Sequence, residues 1–352
     1  MYKSRKLLIR LDVLYKQKPA RGFMNTEKMK GTDISMEIQN MYMPEGSLIN
    51  TETNIAYTSS LRMLERAMRW GVILEAMATV CDCTDMSLRV DLGCAEGIIP
   101  KEEAMYSRDG GKDIAVITRV GKPVCFKVMR IEQENGRARA VLSRRQAQLE
   151  CTEKFISRLT PGDIIPCAVT HLDPFGAFVD IGCGIVSLIC VDCISVSRIF
   201  HPSDRLWAGQ RIYAAVKHID YATSRIYMTL RELLGTWEEN AQNFSPCSTV
   251  AGIVRSIEDY GIFVELSPNL AGLAELREGV SVGDCCSVYI KSIIPEKMKI
   301  KLVLIDCHAA KFSPQLKYYV DFHSGMHMDY WRYSPDGCKK LIETVFDGAA
   351  CN

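Results

Sequence analysis

Pro174-Phe175-Gly176-Ala177-Phe178-Val179-Asp180 puts two aromatic rings beside a glycine turn and then enters a strand that alternates. With the two-residue period of a pleat, Ala177, Val179 and Ile181 share one face, and Phe178 and Asp180 share the other. A large ring on the face of a carboxylate is either covered by a neighbouring loop or left open for use. The same order recurs as Asp259-Tyr260-Gly261-Ile262-Phe263-Val264-Glu265, and a version without the rings precedes both, as Met86-Ser87-Leu88-Arg89-Val90-Asp91-Leu92-Gly93. Repetition on this scale marks an array of modules.

Around the middle copy, strand-like runs at 164–170, 177–181, 185–190, 211–219 and 225–230 are bounded by turn residues, with a long excursion between the third and fourth. Five strands with one long crossing fit an OB barrel. Upstream, Gly93, Gly110-Gly111, Gly121 and the hairpin dipeptide Asn135-Gly136 punctuate a degenerate barrel over 59–146. The middle barrel takes 147–234. A third, over 235–306, has almost no excursion and reads as shortened. The charged run 144–158 reads as a helical linker, and Ser59-Ser60 as the cap of a short helix over 61–70 with Leu61, Leu64 and Met68 on its apolar side. The expected class is therefore mainly β, with three tandem five-stranded OB barrels joined by short helical linkers. Residues 1–58 are expected to be a basic, mostly disordered leader. It is read either as an RNA-contacting arm or as an extension of the reading frame, since Met24, Met36, Met41 and Met43 are alternative starts. A small α+β cap over 307–352 is expected to pack on the third barrel through its aromatic residues.

Hydrophobic residues make up 47% and charged ones 24% of the 352, the composition of a folded chain with a core. The net charge of +1 excludes a uniformly basic nucleic-acid coat, so any such binding has to rest on local cations and stacking rings. Fifteen cysteines spread over a long chain with no secretion signal read as reduced thiols in a cytoplasmic protein. The apolar run at 7–9 is cut by Arg10 and Asp12, which gives no membrane span.

The middle unit resembles the S-one RNA-binding domain, the OB-fold repeat strung along the largest bacterial small-subunit ribosomal protein. The resemblance rests on Gly162-Asp163, the stretch from Pro174 to Gly182, Ala208-Gly209-Gln210, Ile219-Asp220 and Arg225-Ile226, followed by a Trp237-Glu238-Glu239 connector. It covers about residues 71 to 305. In that family two aromatics, a histidine, an aspartate and an arginine on one barrel face contact RNA. The resemblance assigns these roles to Phe175, Phe178, Asp220 and Arg225, with Cys190 in the histidine slot and Ser187 where glycine is usual. In the third unit it assigns Tyr260 and Phe263 as the rings and Lys299 as the cation, with Glu275 in the histidine slot. The first unit carries Met86 and Arg89 in place of rings, Pro100 in the histidine slot and Arg139 in the arginine slot, so it reads as a protein-facing module or a spacer.

Stacking on rings is sequence-tolerant, and a guanidinium serves phosphate or a base face. The expected partners are thus single-stranded RNA, as mRNA or rRNA, and the small ribosomal subunit, with no membrane and no small-molecule substrate. No nucleophile motif, Walker loop or dinucleotide fingerprint is present, so capture rather than catalysis is expected, with no cofactor. Cys190-Val191-Asp192-Cys193 lacks a second ligand pair for zinc, and His323 and His327 are separated by a glycine unsuited to a metal-binding helix. The process expected is translation or mRNA handling. The alternative is a protein-interaction adaptor whose barrels have largely lost RNA contact.

Overall fold

In β7 (Gly176–Asp180), Ala177 and Val179 turn into the barrel and are fully buried while Phe178 faces out half-exposed, as the alternation predicts. The computed structural model describes residues 42–106, 116–134, 137–309, 315–322 and 326–346, all in the second of two units, residues 37–352. β1 (Leu74–Cys81), β2 (Leu88–Asp91), β3 (Glu96–Ile99), β4 (Pro123–Glu134) and β5 (Arg137–Ser143) close the first barrel. β6 (Ile164–Asp173), β7, β8 (Val186–Cys190), β9 (Arg211–Asp220) and β10 (Arg225–Thr229) close the second. β11 (Thr249–Glu258), β12 (Gly261–Ser267), β13 (Leu270–Ala274), β14 (Cys285–Ile294) and β15 (Lys299–His308) close the third. In each, the third and fifth strands run parallel and the first pairs antiparallel with the fourth, which is the OB order. The expected mainly β class and triple barrel hold. The Asn135-Gly136 turn lies outside the described residues.

α1 (Glu52–Thr58) and α2 (Leu61–Trp70) precede the first barrel. Ser60 caps α2 by accepting from the Met63 N–H, and Leu64 and Ala67 enter the first core. The linker forms α3 (Arg144–Lys154), and α4 (Trp237–Ala241) opens the third barrel with a capping box between Thr236 and Glu239.

The expectation of a disordered leader through residue 58 is corrected for 42–58, because burial of both polar and apolar groups holds this segment down. Tyr42 stacks on Phe155 at 6.2 Å in the middle core. Glu45 is buried and accepts from Arg144 Nε at 2.6 Å, Arg144 Nη2 at 3.1 Å and the Cys125 N–H at 3.1 Å. Its own N–H donates to Asp180 Oδ2 at 2.7 Å, and its carbonyl accepts from Arg211 Nη2 at 2.8 Å. One residue thus joins the first barrel, the linker helix and the middle barrel. Residues 1–41 lie outside the described part.

This contact also changes the reading of Asp180, which the alternation places beside Phe178. Its Oδ1 accepts from the Gly182 and Gly184 N–H groups at 2.8 and 3.0 Å, and the segment from Tyr42 covers it. Burial, then the charge of Glu45, pushes its carboxyl up to about 7 from an ordinary 3.8. A carboxyl whose pKa is raised on folding stabilises the fold in its protonated form, fully below about 4, and this contribution is lost as the pH rises through about 7. Relative to an Asp180→Asn variant, the native protein should lose melting temperature between pH 5 and 8, as read by thermal denaturation across that range.

The excursion over 191–209 docks on the third barrel. Val196 N–H donates to Asn269 Oδ1 at 2.9 Å, and the wholly buried Arg205 pairs with Glu265, which also accepts from Arg255 Nε at 2.8 Å. The C-terminal segment was expected to pack on the third barrel, and it spans two. Tyr318, Tyr213 and Phe322 form a ring cluster against the middle barrel, where the Tyr213 N–H donates to Tyr318 Oη at 3.0 Å. Trp331 and Tyr333 enter the third core, and β16 (Tyr330–Arg332) pairs with β17 (Glu343–Val345). Their apolar rings are buried by two surfaces rather than one.

The expectation of reduced thiols is corrected at one place. Cys286 and Cys307 face each other on adjacent strands and are joined as a disulfide, while twelve other described cysteines are free. Free Cys125, Cys151, Cys167 and Cys183 are buried in the core of the middle barrel or against it, as small hydrophobes. No helix among the described residues is long and apolar enough to cross a membrane.

Candidate nucleic-acid interface

Each barrel carries a bulge at the same place in its first strand, between Ala78 and Val80, between Val169 and His171, and between Val254 and Ser256. A bulge adds one residue and re-aims the side chain that follows. The register then lines up one residue per strand into an outward row across the barrel. In the middle barrel the row is His171, Phe178, Leu188, Tyr227 and His218. In the third it is Ser256, Phe263, Leu273, Lys301 and Ser292. In the first it is Val80, Arg89, Ile98, Val141 and Arg130.

The middle row is the aromatic one. Phe178 lies 5.7 Å from Phe175 in an edge contact and 6.1 Å from His171 nearly face to face, while His218 stacks on Tyr227 at 6.2 Å. Phe175 is 55% exposed at the turn into β7. The turn needs Gly176, since a Cβ there would stand 2.4 Å from the Ile189 carbonyl, and Gly261 before Phe263 is equally confined at 2.6 Å from the Ala274 carbonyl. The aromatic-glycine-x-aromatic spacing is thereby tied to close approach of the second and third strands, which leaves the rings on either side free to project.

Of the residues singled out from sequence, Phe175 and Phe178 meet where β7 begins, Cys190 ends β8, and Asp220 and Arg225 flank the hairpin between β9 and β10. Asp220 and Arg225 are register partners across the closing hairpin. Asp220 does not hold the guanidinium. Its carboxylate accepts from the Ala222 N–H at 2.9 Å and the Thr223 N–H at 3.1 Å and from the Thr223 hydroxyl, and these bonds, the hydroxyl's foremost, hold its pKa below the usual carboxylate range. Arg225 is exposed and makes no ion pair among the described residues. Cys190 stands opposite Gly176, half-buried, with its thiol pushed up by burial and then by Cys193. Ser187, in a glycine position of the family, is buried and donates to the Ile226 carbonyl at 2.5 Å across the parallel pair.

In the third barrel Tyr260 and Phe263 meet edge to face at 6.1 Å, and Lys299 and Lys301 are both exposed on β15, with Glu275 exposed nearby. In the first barrel Glu96 draws in both Arg89 and Arg139, so its face offers neither rings nor a free pair of cations. His327, read as a weak metal candidate, bonds Asp163 at 2.6 Å and Asp329 at 3.2 Å, and His323 lies outside the described residues.

His171, His218 and Tyr227 escaped the sequence reading. Tyr227 follows Arg225 by two and shares its face, a signal available in the alternation. His171 gave none, because the bulge at Val169 reverses which residues of β6 face outward.

Three closed OB barrels, one with outward rings on its first, second, fourth and fifth strands, define an oligonucleotide-binding class of fold. A family model described as the S1 RNA binding domain matches residues 75–145 and 158–231, the stretches that form the first and middle barrels. The chain is 30% identical over 235 residues to small ribosomal subunit protein bS1 of Staphylococcus aureus strain COL, covering 63% of this chain and 58% of that protein. It is 26% identical over 334 residues to the bS1 homolog of Bacillus cereus strain ATCC 10987, covering 90% and 83%. The chain spans less than two thirds of the length of the staphylococcal relatives. Among solved structures it is similar to a multidomain protein with nucleic acid binding domains from Streptococcus pneumoniae TIGR4, at 15% identity and a TM-score of 0.23, covering 67% of this chain and 74% of that one.

Proposed function

We propose that the protein captures single-stranded RNA on the middle barrel, in translation or mRNA handling, with the small ribosomal subunit as a partner. The observation that carries this reading is the row from His171 to His218, where four of five outward positions hold rings and Phe175 extends it at one corner. Bases stack on exposed rings without sequence preference, and Arg225, exposed at the hairpin, is placed for a phosphate or a base face. The third barrel, with two rings and two lysines, adds a weaker contact in tandem, which raises affinity through local concentration. The family match and the bS1 relatives support RNA as the ligand class.

In fluorescence anisotropy with a labelled single-stranded RNA, Phe178→Ala should weaken binding by about 1–3 kcal/mol while the melting temperature is held, and Arg89→Ala should leave it unchanged. Equal losses from both would sink the middle barrel as the main site. With few phosphates neutralised per barrel, the salt dependence should be shallow.

A further inference from the structure

The excursion between β8 and β9 carries two rings that the ring row does not account for. Phe200 is 61% and Trp207 59% exposed, each more than Phe175. Their neighbours Ile199 and Leu206 are buried in the middle core, so the loop is held from beneath while these rings stand out. Phe200 N–H donates to Asp204 Oδ2 at 3.3 Å and Trp207 N–H to Gln210 Oε1 at 3.1 Å. Rings exposed on an anchored loop lose little entropy on binding.

The loop is fastened at its end to the middle barrel and at Asp204 to the third. Gly209 N–H donates to the Val169 carbonyl at 2.7 Å and Val169 N–H to the Gln210 carbonyl at 2.9 Å, at the bulge that re-aims His171. On the other barrel, Arg255 lies in the bulge before Ser256, the register partner of Phe263, and reaches Asp204 at 3.7 Å. The loop thus touches the first strand of both barrels, at the bulge that precedes the first residue of each row. Arg198 has its guanidinium 5.9 Å from the Phe200 ring, is exposed, and makes no ion pair among the described residues.

We infer that Phe200, Trp207 and Arg198 form a second stacking site for single-stranded RNA, which carries a strand from the middle barrel to the third. The inference rests on the RNA-capture reading above. Exposed rings with an unpaired guanidinium beside one of them suit bases and phosphates together, and this cation favours RNA over an apolar protein segment as the occupant.

The test compares uridine oligomers of about 6 and about 20 nucleotides, a length one barrel can hold and a length beyond any single barrel's site. In the full chain, Phe200→Ala combined with Trp207→Ala should raise Kd for the longer oligomer at least about fivefold and leave the shorter unchanged. Thermal melts and retained binding of the shorter oligomer exclude misfolding. If Phe178→Ala weakens both oligomers while the double variant weakens neither, the inference is overturned and the rings belong to a protein contact instead. If Phe178→Ala weakens neither, the RNA-capture reading itself fails, and this site with it.

Discussion

Glu45→Ala should cost about 3–5 kcal/mol of unfolding free energy, because it strips the partner from Arg144, an arginine buried between two barrels. Burial works against the Glu45 charge, yet Arg144 beside it, with Arg119 and the Cys125 N–H, holds the carboxyl below the usual carboxylate range. Removing it leaves a desolvated guanidinium, while the backbone N–H of residue 45 still donates to the buried Asp180. Glu150→Ala provides the contrast. Glu150 pairs with Lys127 and Lys154 in partly solvated positions and accepts from Tyr42 Oη at 2.9 Å, so its loss should cost about 1–3 kcal/mol, less than that of Glu45. Urea unfolding of the two variants decides the matter, and equal small losses would show that Glu45 does not pin the barrels together.

At the second interface Glu265→Ala should be comparably damaging, at about 3–5 kcal/mol, since it abandons both Arg205, fully buried, and Arg255. Arg205→Met should cost less, because Arg255 still neutralises Glu265 and a long apolar chain refills the space. The order of the two variants in urea unfolding tests this account, and a greater loss for Arg205→Met would contradict it. The consequence reaches function through Asp204, which meets Arg255 beside the same carboxylate. Loss of Glu265 should expose the 191–209 loop to limited proteolysis and lower affinity for the longer oligomer more than for the shorter.

Much of this molecule is written locally. The alternation from Ala177 to Ile181 and the hydroxyl cap at Ser60 each act within a few residues, and each was legible in the chain. Phe175 and Phe178 were legible as a pair for the same reason, since three residues across a glycine turn need no distant partner to place them. Where the reading failed, the deciding contact came from far along the chain. Asp180 shares its strand face with Phe178 but is covered by Glu45, and the fate of an outward residue depends on what is laid over it. Asp220 is a local case: assigned by the resemblance to RNA contact beside Arg225, it spends its oxygens on Ala222 and Thr223 of its own turn, as short polar side chains at hairpins do. The tail packs on two barrels because its rings are distributed between two apolar surfaces no local pattern records.

By itself, the sequence determined three OB barrels, their order, and the two barrels whose second strands open on a ring pair. Strand period and turn chemistry are short-range, so a repeat declares them each time it occurs. Only the tertiary structure decided that the ring pair is one corner of a five-strand row, that a buried glutamate from the expected leader joins two barrels, and that Phe200 and Trp207 stand exposed on a loop that touches two barrels. Register across a closed barrel and the burial of charge depend on residues tens to more than a hundred positions apart, and no local pattern carries that information.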